Sequence, residues 1–229
     1  MKLAIMQPYF LPYIGYFQLI KAVEKYVIYD NVNYINKGWV NRNNILLNRQ
    51  KYLFTLSLLG ASQNKFINEI FVEQNQSKLQ KTLETAYKKA PYFENVFSVI
   101  QNIFDYEDKN LAKFVGNSIM QIADYLNIKT EFIYSSEINK DNLLKGQEKI
   151  LYICKILNAT NYINAIGGQE LYDKEIFKQN NIELNFLKTE IVEYKQLKNE
   201  FVPYLSVLDV MMFNSVEEIN LMLDKFELI

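Results

Sequence analysis

The stretch KLAIMQPYFLPYIGYFQLIKAVEKYVIYD, residues 2–30, decides the fold. Lys2 to Met6 is a short apolar run and predicts a buried strand. Gln7 to Tyr13 carries Pro8 and Pro12, which stiffen the exit from that strand into a loop. From Gly15 to Lys25 the apolar residues Phe17, Ile20, Ala22 and Val23 fall at helical spacing. Tyr26 to Tyr29 is a second apolar strand, ending at Asp30. Strand, helix and strand in this order form a β-α-β unit, and such units build parallel sheets.

The same alternation continues outward. Residues 31–50 read as polar and irregular, with Trp39, Arg42 and Asn43 in the middle. Lys51 to Leu58 alternates and predicts a strand, and Phe66 to Glu73 is another candidate. Three helical segments follow at about 76–89, 92–105 and 108–126, with Pro91 between the first two. Thr130 to Tyr134 predicts a strand and Gln147 to Leu157 a helix opened by Lys145-Gly146. Tyr162 to Ala165 and Ile182 to Leu187 are further strands, and helices follow at about 204–213 and 216–226. The expected architecture is one α/β domain over residues 1–229, a mostly parallel sheet with flanking helices. The helices at 76–127 form an insert or a lid over the site.

Composition narrows the chemistry. The chain has 229 residues, no histidine and one cysteine, with a formal net charge of −1. Without histidine there is no imidazole base, no Ser-His-Asp triad and no histidine-bound metal. A lone Cys154, set in the apolar run Ile150 to Leu157, excludes a disulfide within the chain, a CxxC zinc site and a cysteine-bound iron–sulfur cluster. Haem and flavin are not expected either. The near-neutral charge argues against DNA as a partner and weighs against tRNA. The N-terminal stretch resembles a signal peptide superficially, but Gln7, Pro8 and Pro12 interrupt it. No apolar run is long enough to span a membrane, so the expected compartment is the cytoplasm. The oligomeric state, a homodimer included, is left open by the sequence.

In open parallel sheets, ligands bind beyond the carboxyl ends of the strands, where the strand order reverses. Gln7, Asp30 and Gly167-Gly168 each follow a predicted strand and could line one such crevice. In the first loop, Tyr9 and Tyr13 flank the prolines, and Gly15 would let an anion approach the free NH groups of the helix start. Nucleotidyltransferase-type folds often carry an HxGH phosphate motif at this point. Tyr13-Ile14-Gly15-Tyr16 occupies the place here, with tyrosines for both histidines. The plain alternative is a rigid packed turn.

Trp39 is the only tryptophan, and Arg42 and Arg49 are the only arginines in a lysine-rich chain. A retained arginine suggests a bidentate clamp on phosphate or carboxylate, and a tryptophan beside it a stacking surface. Asn43 belongs to the same cluster; the plain alternative is a surface arginine and a core tryptophan. Lys145 and Gln147 open a helix where a phosphate would suit the first-turn NH groups, although neither a Walker A loop nor GxGxxG is present. Glu170 and Asp173, three residues apart after Gly167-Gly168, could share a helix face, bind Mg²⁺ or accept a proton, or simply turn the chain.

Four separated segments in order carry a family resemblance: QPYFLPYIGYFQLI at 7–20, VIYDNVNYINKGWVNRN at 27–43, KGQEKILYICKILNATNYINAIGG at 145–168 and LSVLDVMMFNS at 205–215. Together they resemble the WbqC-like proteins over nearly the whole chain. The resemblance marks Gln7, Pro8, Pro12, Gly15, Asp30, Trp39, Arg42, Asn43, Lys145, Gly146, Gln147, Gly167, Gly168, Ser206 and Asp209. It implies a context of bacterial surface-polysaccharide (O-antigen, lipopolysaccharide) biosynthesis, with a nucleotide-linked sugar as partner.

The expected activity is amide formation. An acid activated by ATP is transferred to the amine of a nucleotide-linked amino sugar, chemistry that rests on positioning and charge and suits a site without histidine. Arg42 and Lys145 are the expected phosphate clamps, and Asp30 or Glu170 the expected Mg²⁺ ligand or amine base. The alternatives are an acyltransferase fed by a thioester or an aminoacyl-tRNA, and a non-catalytic nucleotide-sugar-binding assembly protein.

Overall fold

The computed structural model describes residues 1–140, 143–197 and 200–229. Six strands form the central sheet: β1 (Lys2–Met6), β2 (Lys25–Ile28), β7 (Glu131–Tyr134), β8 (Asn161–Ala165), β9 (Glu183–Thr189) and β10 (Phe226–Leu228). Their order across the sheet is β10-β9-β8-β1-β2-β7. All neighbours run parallel except β10, which returns antiparallel along β9. Among the parallel strands the chain steps outward from β1 to β2 and β7, then crosses back to β8 and β9 on the other side. The strand order therefore reverses at β1, between β2 and β8.

Alternation along each strand divides the core into two layers. Ala4, Tyr26, Ile28, Ile163 and Leu187 face the larger layer. There α1 (Ile14–Lys21) packs with α2 (Ser77–Tyr87), α3 (Phe93–Asp105), α4 (Leu111–Tyr125), α7 (Val207–Phe213) and α8 (Val216–Leu223). Leu3, Ile5, Val27, Tyr162, Leu184 and Phe186 face the other layer, against Ile150, Ile153 and Cys154 of α5 (Gly146–Ile156) and Phe177 of α6 (Lys174–Gln179). A right-handed crossover that moves in opposite directions from β1 must place its helices on opposite faces, which accounts for the three-layer arrangement. Cys154 is a buried thiol, pushed up to about 12 by burial. The helices of 76–127 share one hydrophobic cluster with the sheet.

Three elements differ from the sequence reading. Residues 31–50 are only partly irregular, because β3 (Arg42–Leu47) pairs antiparallel with β4 (Gln50–Thr55). Asn48 and Arg49 join them with φ of +51° and +65°, the mirror-image turn that matches the twist of a hairpin. The strand expected at Phe66 to Glu73 shrinks to β6 (Phe71–Val72), paired with β5 (Leu58–Leu59). Ahead of β6, Glu69 closes a one-turn helix by accepting from the Phe66 amide at 2.7 Å. The third element is β10.

Candidate functional site

The loop after β1 is held by its main chain. Leu11 has φ +48° and turns its carbonyl to accept from Asn43 Nδ2 at 2.9 Å and Ser206 Oγ at 2.7 Å. Pro12 O accepts from the Val207 amide at 2.7 Å, and the Phe10 amide donates to Val40 O at 3.0 Å. Three distant segments are thereby pinned together, and a cleft of about 420 Å³ opens between them. Tyr9, Pro12 and Tyr13 come from the loop, Trp39, Asn43, Asn44 and Lys51 from the hairpin region, and Tyr204 from the segment before α7. Burial raises the pKa of Tyr9, whose ring packs on Tyr16, so its hydroxyl stays protonated. The Lys51 ammonium lies 5.8 Å from the centre of the Tyr204 ring.

Tyr204 holds φ +58°, a conformation unfavourable for a bulky residue. Its segment is fastened from within. Gln196, fully buried, accepts from the Val202 amide at 2.8 Å and donates to Val202 O at 3.2 Å. Gln196 Nε2 also donates to Asp209 at 2.6 Å. Asp209, buried on α7, further accepts from the hydroxyls of Tyr87 at 3.0 Å and Tyr194 at 2.8 Å. Burial raises its carboxyl pKa, against the opposing effect of these three donors.

A second, polar region lies where β2, β7 and β8 end. Asp30 is 1% exposed and accepts from the Ser136 amide at 2.9 Å, Ser136 Oγ at 2.6 Å and Asn68 Nδ2 at 3.4 Å. Lys149, in the first turn of α5, donates to Asn31 O at 3.3 Å and lies 5.1 Å over the ring of Tyr29. Lys140 donates to the carbonyls of Ser135 and Ile138. Ser135 Oγ meets Asn31 Oδ1 at 2.8 Å, so both lysines share one polar framework. Burial lowers both lysine pKa values; the charge of Lys149 adds to this at Lys140, and Asp30 opposes it at both. Burial pushes Tyr29 up to about 12.

The WbqC-like protein family matches residues 7–221. The chain belongs to that family. Uncharacterized protein Rv1507c of Mycobacterium tuberculosis is 27% identical over 216 residues, which cover 92% of each chain. Uncharacterized protein L64 of Acanthamoeba polyphaga mimivirus is 27% identical over 116 residues, 50% of this chain and 18% of that protein. No solved structure matches. Among the described residues no helix is long and apolar enough to cross a membrane.

In this WbqC-like chain, Tyr9, Tyr13, Trp39 and Asn43 meet at the cleft, whereas other expected site residues go elsewhere. Arg42 is held inside its own loop. Nε donates to Gly38 O at 3.0 Å, another nitrogen meets Lys37 O, and the fork lies 5.8 Å over Trp39. It braces the tryptophan instead of standing free as a clamp. Gly15 is filled from both sides, since a Cβ there would overlap the Thr189 hydroxyl and the Tyr13 ring. Its role is close packing, with no space left for a ligand. Gln7 gives its main-chain oxygen to the Tyr16 hydroxyl at 2.8 Å.

Asp30 is buried, and Ser136 and Asn68 hold its carboxylate in place as a counter-charge to the nearby lysines. Glu170 is exposed on the one-turn segment after β8, while Asp173 caps α6 through the Glu175 amide at 2.8 Å. The two do not share a helix face. Gln147 Oε1 accepts from the Asp173 amide at 2.6 Å. Lys145 is exposed at the start of α5. Gly167 faces open space, and Gly168 packs on Asn164. No group of three or more metal-ligating side chains exists among the described residues.

Lys51, Asn44 and Tyr204 in the cleft and Lys140 and Lys149 below the strand ends escape the sequence reading. Lys149 alone leaves a signal. It lies four residues before Ile153, on the face of α5 that otherwise carries core residues.

Proposed function

We propose that the protein forms an amide on the amine of a nucleotide-linked amino sugar, bound with its base or sugar ring between the aromatic walls of the cleft. The observation that carries this reading is the cleft itself. Four aromatic side chains, Tyr9, Tyr13, Trp39 and Tyr204, line one opening with a single cation, Lys51, and they do so beside the exit of the first parallel strand. Rings of this kind give large contact area to a planar or sugar ligand, and Lys51 offers a point charge to phosphate. The parallel strands run in the order used by mononucleotide-binding sheets, which supports a nucleotide ligand and a nucleotidyltransferase-like likeness.

In this reading Arg42 is a positioning residue that fixes the Trp39 ring, and Asn43 fixes the loop through Leu11. ATP makes the acid's oxygen a phosphorylated leaving group, which the sugar amine displaces with loss of a proton. The described residues do not gather a cluster for a resident Mg²⁺: Asp30 is buried against Ser136 and Asn68, and Glu170 stands apart on the surface. No step is assigned to a protein-held metal.

The test is incubation of purified protein with nucleotide-linked amino sugars, a panel of amino and short carboxylic acids, and ATP, followed by mass spectrometry. A product heavier by the acyl group, absent without ATP and absent with the non-amino sugar, is the expected result. Product formed from a thioester without ATP would favour the other acyl donor. Tight sugar-nucleotide binding with no product under any donor would replace the enzyme by the binding-protein reading.

A further inference from the structure

We propose that Lys140 and Lys149 form the cationic floor of a phosphate site at the carboxyl ends of β2, β7 and β8, separate in its residues from the aromatic cleft. The two side chains are 9% and 7% exposed, and among the described residues neither forms an ion pair. Asp30 acts on both through space, while Ser136 and Asn68 hold its carboxylate. Among the described residues, Lys140, Lys149 and Asp30 carry one more positive than negative charge in a buried setting. An uncompensated buried charge is costly, and an incoming anion relieves it.

The donors to receive that anion are present. Each ammonium has three N–H groups. Lys149 places one near Asn31 O, at the long distance of 3.3 Å, and rests on the face of Tyr29. Tyr29 follows β2, while Asn164 lies at the end of β8 and Tyr172 beyond it, near enough to Tyr29 to couple with it. These residues straddle the end of β1, where the strand order reverses. Beside them a Cβ at Gly146 or Gly167 would meet nothing within 4 Å, so the chain there borders open space. Ligands of doubly wound sheets bind at such a reversal. Paired lysines suit phosphate because its diverging oxygens can meet two point charges at once.

This inference deepens the nucleotide reading but does not depend on amide chemistry, since inorganic pyrophosphate alone tests it. The full chain is titrated calorimetrically with pyrophosphate, orthophosphate and acetate at fixed ionic strength. Saturable pyrophosphate binding is expected, with acetate much weaker. Lys149→Met and Lys140→Met should each weaken pyrophosphate by about tenfold or more. Their unfolding temperatures without anion should equal or exceed that of wild type, because a buried charge has gone.

A lysine that merely braced Asn31 or Ser135 would give the opposite pair of results, a lower unfolding temperature and unchanged affinity. That outcome overturns the proposal, as does the absence of saturable pyrophosphate binding to wild type. Acetate binding as tightly as pyrophosphate overturns the assignment to phosphate. Should one methionine variant fail to fold, the other carries the test. Pyrophosphate binding without any amide product leaves this site standing and removes only the amide reading.

Discussion

Replacing Asp209 by alanine tests how the cleft's outer wall is held. The carboxylate accepts from Tyr87, Tyr194 and Gln196, at 3.0, 2.8 and 2.6 Å. Gln196 keeps the Val202 carbonyl at 3.2 Å after the change, so two tyrosine hydroxyls lose their acceptor. A buried donor left without a partner costs about 1–3 kcal/mol, giving about 2–6 kcal/mol for the pair. Burial already disfavours the ionised carboxyl, as its raised pKa shows, and its removal returns part of that sum. A net loss of about 3 kcal/mol is expected, or about 6–12 °C in Tm for a chain of this size.

Circular dichroism melting measures the loss of stability, and titration with a cleft ligand measures the second consequence. Tyr194 and Gln196 hold the segment that carries Tyr204, so affinity should fall together with stability. Asp209→Asn keeps one acceptor oxygen and should recover about half of the loss. It should also flatten the acid-range pH profile. With its folded pKa raised, Asp209 contributes stability below its ordinary value of 3.8 that is lost as pH rises through the folded pKa. An Asp209→Ala protein with wild-type melting and wild-type affinity would refute the reasoning.

Three further outcomes can be checked. Gly15→Ala should lower stability by about 1–3 kcal/mol through overpacking against Thr189 and Tyr13, and Thr189→Ala should restore part of it; an unchanged melting temperature would contradict the packing role. Trp39 is 46% exposed, so Trp39→Ala should leave melting nearly unchanged while weakening a stacked nucleotide by about 1–3 kcal/mol, read by titration. Burial lowers the folded-state pKa of Lys149, so its unfavourable effect is full at neutral pH and fades as pH rises toward the unfolded value of 10.5. The stability gap between Lys149→Met and wild type should therefore narrow as pH rises toward 10.5. Tyr29, pushed up to about 12, does not titrate in that window.

The β1-α1-β2 unit is legible because its strands are buried on both faces and read as continuous apolar runs, with prolines marking the turn. The hairpin at 42–55 is not legible. Its first strand begins Arg-Asn-Asn, and its turn is Asn48-Arg49 where the common signal is Asn-Gly. β10 is three residues long and follows a helix closely, too short to show a period. In the site, rarity is what speaks. Trp39 stands out by being single and the aromatic loop by its density, and the structure brings both to one cleft. Arg42 also stands out, yet its fork turns onto its own loop, because backbone carbonyls lie within its reach. Lys140 is silent among many lysines, and Lys149 speaks only through its place on the core face of α5. Their meaning comes from burial, which depends on α5 crossing the ends of strands distant in sequence.

The Leu11 carbonyl, shared by Asn43 and Ser206, sets an order of events during synthesis. Residues 7–13 and 39–51 leave the ribosome early, but Tyr204 and Ser206 must follow before the cleft has its far wall. In the proposed reading, a ligand meets the far wall of the cleft only once the chain has been made through α7. A chain stalled before residue 204 would lack that wall and be left to the cell's chaperones and proteases.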